Sequence, residues 1–384
     1  MEVPPPHLSE PLERPLFAAW PALRERVPWV ALGELPTPVE RAERLERRLG
    51  ARRALWIKRD DRSSPVYGGN KVRTLEVLFG RARAHGATRI HATGAFGSNH
   101  AAATVLHAPA AGLEPGVILF PQPRSFAALE NLRVVLAQRP RVLALPHWSA
   151  LPFGVAWVRA RERAEGVRSE IMVPGGATPE GALGYVSAGL ELARQVADGE
   201  LPTPGEVVIG VGSTCTSAGL LVGLRAAAEL GLGWRAAPTL RSVRVTPWPV
   251  TSRARIVGLA RRTAALLAEL VGEPRWAFDR AALSDGLALD GAQLGRGYGH
   301  PTPDGLDALR LTREAAHLAL DTTYSAKAMA SVLERLRTTD GPPLVYWSTK
   351  STAPLPEVAA PDWRWGPRMM TRWIEKAEAA CAPP

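Results

Sequence analysis

Cysteine, lysine and long apolar runs are all scarce in this sequence. Its 384 residues include two cysteines, Cys215 and Cys381, which argues against a disulfide framework or a cysteine metal site and for a reducing compartment. No apolar run has the length needed to span a bilayer. Residues 1–6 lack the basic start and apolar run of a secretory signal. We therefore expect a cytoplasmic protein that interacts with no membrane and binds no metal ion.

The scarcity of lysine makes each lysine informative. Arginine keeps its proton in proteins, whereas a desolvated lysine can lose it and act as a nucleophile. Lys71 follows Gly68, Gly69 and Asn70, and an amine in a glycine-rich turn of such an arginine-rich chain indicates a chemical role. Lys327, on a predicted helix, is expected to be a solvated charge. The five lysines are Lys58, Lys71, Lys327, Lys350 and Lys376.

A net charge of +10 raises the question of nucleic-acid binding. Against it, the arginines are scattered, and those between residues 41 and 53 alternate with acids or lie on helical faces. The chain has no dense basic tail and no run of aromatic residues between arginines. We expect no nucleic-acid partner. The alternative, a basic nucleic-acid-binding protein, would show steeply salt-dependent binding.

Short apolar runs alternate with helical patterns from about residue 55 onward, which predicts a mostly parallel α/β fold. The length of the chain predicts two domains. Segments 194–204 and 283–299 have the composition of connectors, and both termini are expected to fray. The predicted strands are 54–58, 90–93, 117–120, 142–145, 170–173, 207–211, 242–246 and 344–347. The predicted helices are 72–84, 99–110, 126–137, 181–197, 220–230, 253–270, 305–318 and 325–336.

Five loops with small or hydroxyl residues follow predicted strands. In an open parallel sheet, ligands bind at the carboxyl ends of the strands, where helix N-termini offer unpaired amides. The loop at 212–216 has small side chains and three hydroxyls, so it is a candidate phosphate-binding loop, although an ordinary small-residue turn explains it equally well. It lacks the glycine spacing of the Walker and Rossmann motifs. The loops contain Lys71, Ser98 with Asn99, residues 175–178, residues 212–216 and Thr349.

An isolated lysine and a phosphate-binding loop together are typical of pyridoxal phosphate enzymes. Over residues 35–349 the chain resembles the fold type II family of 1-aminocyclopropane-1-carboxylate deaminases and D-cysteine desulfhydrases. The resemblance implies two domains, each an open twisted parallel sheet with flanking helices. Residues 1–74 and 181–384 would form the large, cofactor-binding domain, residues 75–180 would form the small domain, and the protein would be a homodimer. The matching segments are 57–61, 68–73, 98–100, 181–185, 298–305 and 321–328.

The resemblance also implies roles for individual residues. Lys71 would hold pyridoxal 5'-phosphate covalently and then act as the base for the α-proton. Asn99 would bind the phenolic oxygen of the cofactor, and Thr349 its pyridine nitrogen. The phosphate would lie at the loop formed by Gly212, Ser213, Thr214 and Thr216. Ser98 would hold the substrate carboxylate, with Tyr298 and Tyr324 facing the substrate.

Simpler interpretations stand beside these roles. Ser98 and Asn99 are also favourable residues for a helix N-cap, and the two tyrosines could simply pack their rings. His100 is predicted to be a helix residue with a satisfied ring, and Cys215 a small buried side chain.

Two pairs of residues are among the departures from the family's pattern. Thr214 and Cys215 stand where the family has glycines, and Lys350-Ser351 replaces a Gly-Gly pair. We predict a pyridoxal phosphate-dependent lyase or deaminase that acts on a small amino acid, by D-cysteine desulfhydrase-like α,β-elimination that releases ammonia and a keto acid. Ring opening of 1-aminocyclopropane-1-carboxylate is one alternative. A non-catalytic relative that has lost the cofactor is another.

Overall fold

Two separate β-sheets organise the chain. The structure, a computed structural model, describes residues 14–381. A six-stranded sheet has the order β1-β2-β10-β7-β8-β9 and is parallel except for β1, while a four-stranded sheet, β5-β4-β3-β6, is entirely parallel. In the described range the strands are β1 (Val39–Arg41), β2 (Leu55–Lys58), β3 (Arg89–Ala95), β4 (Glu114–Phe120), β5 (Arg141–Ala144), β6 (Ser169–Ile171), β7 (Glu206–Val211), β8 (Thr239–Arg244), β9 (Leu287–Asp290) and β10 (Leu344–Trp347).

Helices cover both sheets. Those of the described range are α1 (Pro15–Ala19), α2 (Leu23–Arg26), α3 (Glu43–Leu49), α4 (Lys71–Ala84), α5 (Asn99–His107), α6 (Phe126–Ala137), α7 (Leu151–Ala164), α8 (Pro179–Ala197), α9 (Cys215–Glu229), α10 (Arg253–Val271), α11 (Arg280–Asp285), α12 (Pro303–Ala316), α13 (Ser325–Thr338), α14 (Ala360–Arg364) and α15 (Arg368–Cys381). Between residues 14 and 381, no helix combines the length and apolar character that a membrane span requires.

Largely apolar, buried strands occupy the centre of the large sheet. In β7, Val207, Val208 and Ile209 are all inaccessible to solvent, because helices cover the strand on both faces. β10 lies between β2 and β7, with Leu344 opposite Leu55 on one side. This arrangement places the carboxyl ends of β2, β7 and β10 next to one another.

The predicted α/β architecture of parallel sheets and flanking helices is confirmed, and each of the eight predicted strands is present. β1 and β9 were not predicted; β9 lies inside the segment 283–299 that was expected to be a connector, and α8 extends into the one expected at 194–204. The division into domains at residues 74 and 181 stays a prediction. The predicted fraying lies outside the described residues, except that Cys381 ends α15.

Helix α4, which begins at Lys71, is held from behind by α8. A Cβ atom built on Gly184 of α8 would clash with the backbone carbonyl of Arg73, so the two helices can approach this closely only because residue 184 has no side chain. The packing against α8 therefore fixes the position of the first turn of α4.

Four charged side chains beneath this turn form what we call the buried ion network: Lys58, Asp60, Arg73 and Glu191. Arg73 donates to Asp60 and to Glu191 at 2.8 Å each, and Lys58 donates to Glu191 at 2.6 Å. Burial disfavours the charged form of Glu191, but Arg73 and Lys58 outweigh it and lower the pKa of this carboxyl. Buried charges remain ionised only with such partners.

Candidate active site

The loops singled out in the sequence meet at the carboxyl ends of the strands. The turn before α4 follows β2, Ser98 follows β3, the loop from Gly212 to Thr214 follows β7, and Thr349 follows β10. Because these strands are parallel, their carboxyl ends carry the loops to one side of each sheet. Contacts between the loops join them into one site.

Lys71 is the first residue of α4, and its side chain is partly buried. Its Nζ atom donates to the carbonyl oxygen of Gly175 at 3.1 Å. A Cβ atom built on Gly175 would clash with the hydroxyl of Ser213 and lie 3.4 Å from Lys71 Nζ. The amine and the phosphate-loop candidate are therefore neighbours. Burial lowers the pKa of Lys71, which favours the neutral amine.

Asn70 ties the lysine turn to two other loops. Its backbone N–H donates to the carbonyl oxygen of Thr349 at 3.1 Å, and its side-chain amide donates to Thr216 Oγ1 at 2.9 Å. Gly69 also pairs with Lys350 in an isolated antiparallel bridge. Lys71, Thr216 and the end of β10 are thus fixed relative to one another.

The loop after β7 leads directly into α9, whose first residue is Cys215. Thr214 occupies the N-cap position with φ +75°, and its side chain makes no capping hydrogen bond. A β-branched residue in the left-handed region is strained. The carbonyl oxygen of Gly212 accepts hydrogen bonds from the hydroxyls of Thr246 and Thr251, at 3.4 and 2.5 Å. Cys215 is buried, as predicted.

The two tyrosines form a pair beside this loop. Tyr324 and Tyr298 have hydroxyl oxygens 3.4 Å apart, and their rings meet edge to face with centroids 5.7 Å apart. A Cβ atom on Gly212 would lie 3.0 Å from the hydroxyl of Tyr324, so this phenol faces the loop. Burial raises the pKa of Tyr298 to about 12 and that of Tyr324 well above its usual range. Both phenols therefore keep their protons at neutral pH.

Ser98 and Asn99 open α5. Ser98 is its N-cap, and its hydroxyl oxygen accepts from the N–H of Ala101 at 3.3 Å, which leaves its own O–H free to donate. The carbonyl oxygen of Asn99 accepts from Asn131 Nδ2 at 2.7 Å and lies 3.1 Å from the hydroxyl of Tyr67. Ser98 therefore caps the helix, and that role is compatible with binding a carboxylate.

Two predictions about neighbouring residues are wrong. His100 is a helix residue, but its ring is unsatisfied: it is buried, and neither ring nitrogen has a hydrogen-bond partner among residues 14–381. Burial, with a contribution from the charge of Lys71, lowers the pKa of His100 to about 3. Lys327 is not solvated; it is fully buried and donates to the carbonyl oxygens of Leu294 and Gly297, just before Tyr298. His100 is thus a buried neighbour of Lys71, and Lys327 holds the segment that precedes Tyr298.

The structure joins all the predicted site residues into one chain of contacts. One branch connects Tyr324 through the loop at 212–216 to Lys71, and the other connects Thr349 to Asn99 through Lys350 and Tyr67. Sequence reasoning gave no role to Tyr67 or Asn131. The available signal was an amide three residues after Ala128 and four before Val135, on the apolar face of a predicted helix, and Asn131 is 1% exposed. That position is costly unless the amide is hydrogen-bonded.

The residues of this site fit pyridoxal phosphate. The first amides of α9 have no helical acceptors, and the loop in front of them lies beside Lys71, so an anion there would meet backbone donors and the positive end of the helix. Asn99 presents an amide whose oxygen is already occupied. Both ring nitrogens of His100, which lack partners among residues 14–381, lie near Lys71, whose charge contributes to the lowered pKa of the ring.

Comparisons with known proteins agree with this fit. The sequence profile of the family described as pyridoxal-phosphate dependent enzyme matches residues 30–349. The nocardicin C-9' epimerase of Nocardia uniformis subsp. tsuyamanensis is 35% identical over 316 residues, which are 81% of this chain and 90% of the relative. The D-cysteine desulfhydrase of Salmonella paratyphi C (strain RKS4594) is 32% identical over 337 residues, 84% of this chain and 94% of the relative.

A solved structure extends the comparison to the fold. The crystal structure of an ACC deaminase homologue superposes with a TM-score of 0.72 at 25% identity, covering 89% of this chain and 96% of the other. This chain is therefore a pyridoxal-phosphate dependent enzyme, and it belongs to the fold type II group of ACC deaminases and D-cysteine desulfhydrases.

Proposed function

We propose that this enzyme catalyses an α,β-elimination of the D-cysteine desulfhydrase type, which converts a small amino acid to a keto acid and ammonia. Such a reaction needs a base for the α-proton and an acid for the group that leaves the β-carbon. The observation that carries the proposal is the arrangement around the loop at 212–216: the amine of Lys71 lies beside Ser213, and the phenol of Tyr324 lies over Gly212.

We assign the cofactor to residues that already have suitable contacts. Lys71 would hold it covalently, Asn99 its phenolic oxygen, Thr349 its pyridine nitrogen, and the loop of Gly212, Ser213, Thr214 and Thr216 its phosphate. When bound, pyridoxal phosphate withdraws electrons from the α-carbon of the substrate and makes the α-proton acidic.

The remaining steps belong to the protein's own side chains. The O–H of Ser98 would hold the substrate carboxylate, because its oxygen is already engaged by a backbone N–H. Lys71, with its lowered pKa, would accept the α-proton. Tyr298 and Tyr324 keep their protons at neutral pH and would donate one to the leaving group. A neutral hydroxyl at Thr349 would hold the pyridine nitrogen without charging it, which would suit elimination better than transamination.

The test measures sulfide and pyruvate released from D-cysteine by the purified protein with pyridoxal phosphate. We expect a yellow protein that releases both products. Lys71→Ala should lower the rate by a factor on the order of 10³ or more and remove the colour fixed to the protein. Lys376→Ala, which alters an exposed lysine of α15, is the matched control and should change neither. A coloured wild-type protein that leaves D-cysteine intact would refute the elimination.

A second candidate is epimerisation at the α-carbon of a larger substrate. It is favoured by the 35% identical relative, which is named an epimerase. A cavity of about 520 Å³ also adjoins the site, with Lys350 and Asp321 in its wall. Asp321 accepts a hydrogen bond from the backbone N–H of Tyr324, and Lys350 contacts Tyr67, so residues of the cavity wall contact both branches of the site.

Solvent exchange separates the two candidates. In D₂O, an epimerase would exchange the α-proton of an amino acid and invert its configuration without releasing ammonia. An eliminating enzyme would release ammonia and a keto acid in equal amounts. Release of 2-oxobutanoate from 1-aminocyclopropane-1-carboxylate would instead identify the ring-opening reaction. The homodimer and the cytoplasmic location remain predictions.

A further inference from the structure

Lys350 is the second lysine whose amine points toward the candidate site. Its Nζ atom lies 3.5 Å from the hydroxyl of Tyr67 and 5.3 Å from the centroid of that ring. Tyr67 is buried, and its hydroxyl oxygen lies 3.1 Å from the carbonyl oxygens of both Asn99 and Asn131. A positive charge is thus connected to Asn99 through a single phenol.

The hydrogen-bond donors in this cluster determine how Asn99 is oriented. The amide of Asn131 donates to the carbonyl oxygen of Gly97 at 2.9 Å and to Asn99 Oδ1 at 2.7 Å. The hydroxyl of Tyr67 accepts from Lys350 and donates its one proton to either Asn131 or Asn99. Every donor that reaches Asn99 therefore reaches its oxygen. Its Nδ2 group is left to face away from the cluster.

We propose that Tyr67, Asn131 and Lys350 are positioning residues that hold Asn99 with its Nδ2 group toward the phenolic oxygen of the cofactor and keep one positive charge beside it. The inference rests on the proposed role of Asn99. Without the cluster, the Asn99 amide could rotate and present its oxygen to another oxygen, which would be repulsive.

The charge of Lys350 is not cancelled by an adjacent carboxylate. Among the ion pairs within residues 14–381, none joins Lys350 to an acid at 4 Å or less. The titratable groups that influence it are Tyr67, Asp321 and Glu130. The oxygens of Asp321 already accept from the amides of residues 323–325. The ammonium group therefore has no direct ion-pair partner, and the charges of Asp321 and Glu130 act on it from a distance.

The first test replaces the charge and records a spectrum. In holoenzyme of Lys350→Met, we expect the pH midpoint of the cofactor's visible absorption change to rise by about one unit, because protonation becomes easier when a nearby positive charge is removed. Lys350→Arg should restore the midpoint. Lys376→Met makes the same substitution at an exposed site of α15 and should leave the midpoint unchanged.

A second test addresses orientation. Tyr67→Phe and Asn131→Leu should each raise the dissociation constant for pyridoxal phosphate by about tenfold, the effect of one lost hydrogen bond. The urea midpoint, measured in parallel, identifies a merely structural role. The proposal is overturned if Lys350→Met leaves the spectral midpoint in place, or if the variants lose stability without weaker cofactor binding.

These outcomes are independent of the substrate. A coloured protein without turnover on D-cysteine would refute the proposed elimination and leave the spectral test valid. A wild-type protein that binds no pyridoxal phosphate would overturn both.

Discussion

Two sets of polar side chains lie on different faces of the same helix turn, and they differ in how well they are satisfied. Arg73 belongs to the buried ion network, where each charge has a partner of opposite sign at 2.6–2.8 Å. Lys71, two residues earlier, belongs to the candidate site, because residues two apart on a helix do not share a face. There, His100 lacks partners, Thr214 is strained, and Lys350 has no carboxylate partner within 4 Å among the described residues.

The buried ion network stabilises the fold, whereas the candidate site contains polar groups that are free to bind a ligand. Buried polar groups without partners are costly, and strained backbone persists only where the surroundings hold it. His100, with its unpartnered ring, and Thr214, with its strained backbone, both belong to the candidate site. The satisfied network on the other face gives that turn a rigid base. Four substitutions test this comparison, from the largest expected effect to the smallest.

Glu191→Ala should have the largest effect on stability. It leaves Lys58 and Arg73 buried with only Asp60 as a counter-charge, and breaking a buried ion pair costs about 3–5 kcal/mol. Urea unfolding followed by circular dichroism would measure the loss. The control is Glu229→Ala, which breaks the exposed pair with Arg225 and should cost less than about 1 kcal/mol. Equal losses in the two variants would contradict the comparison.

His100 should make the protein sensitive to mild acid. Its pKa is about 3 in the folded protein and about 6.5 when unfolded, so its contribution is complete above pH 6.5 and is lost as the pH falls from there toward 3. Over the window from pH 6.5 to 5 the wild type should lose about 2 kcal/mol through this group. His100→Leu should remove that part of the slope. An unchanged slope between pH 6.5 and 5 would mean that the ring is not held neutral.

Thr214→Gly should relieve strain in the phosphate-loop candidate. Releasing a β-branched residue from φ +75° gains about 1–3 kcal/mol, and the added freedom of glycine in the unfolded chain takes back about 1 kcal/mol. We expect a net gain of about 1 kcal/mol in thermal unfolding. Thr216→Gly is the contrasting variant, because it removes the acceptor for Asn70 from within α9 and should destabilise. A loss in both variants would argue against strain at residue 214.

Ser348→Ala should have the smallest effect. The hydroxyl of Ser348 is buried and finds no partner in the described part of the chain. Removing it should therefore be neutral or stabilise the fold by up to about 1 kcal/mol. Ser331→Ala removes a hydroxyl that donates to Asp290 at 2.6 Å and should cost about 1 kcal/mol. The two serines would be indistinguishable in urea unfolding if hydrogen-bond satisfaction did not matter here.

The sequence predicted those parts of the fold that depend on local pattern. The apolar runs that became β7 and β10 identify central parallel strands because both faces are buried. β1 and β9 are edge strands of three and four residues, which is too short to give a clear pattern. β1 is largely polar, and β9 lies in a segment rich in glycine. Helix α7 was missed because much of its surface is exposed and its apolar stripe is weak.

Contacts between distant residues account for what the sequence did not predict in the site. Lys327 was predicted to be a surface charge, yet its amine donates to the carbonyl oxygens of Leu294 and Gly297. These residues lie 33 and 30 positions earlier in the sequence, so no local pattern predicts the contact. The contact of Asn131 with Asn99 spans 32 positions and depends on how α6 packs against α5. By contrast, Lys71 could be singled out from the sequence, because an amine in a glycine-rich turn is unusual by itself; its role stays a prediction.

The close approach of Gly184 to the backbone of Arg73 has a consequence for enzyme engineering. A single methyl group at position 184 would clash with the backbone of Arg73 and push the first turn of α4 away from α8. Lys71, the first residue of α4, would move with it. A substitution at residue 184 would thus shift the Lys71 amine without replacing any residue assigned to the candidate site. The side chain at residue 184 therefore sets the spacing between α8 and the helix turn that carries the lysine amine.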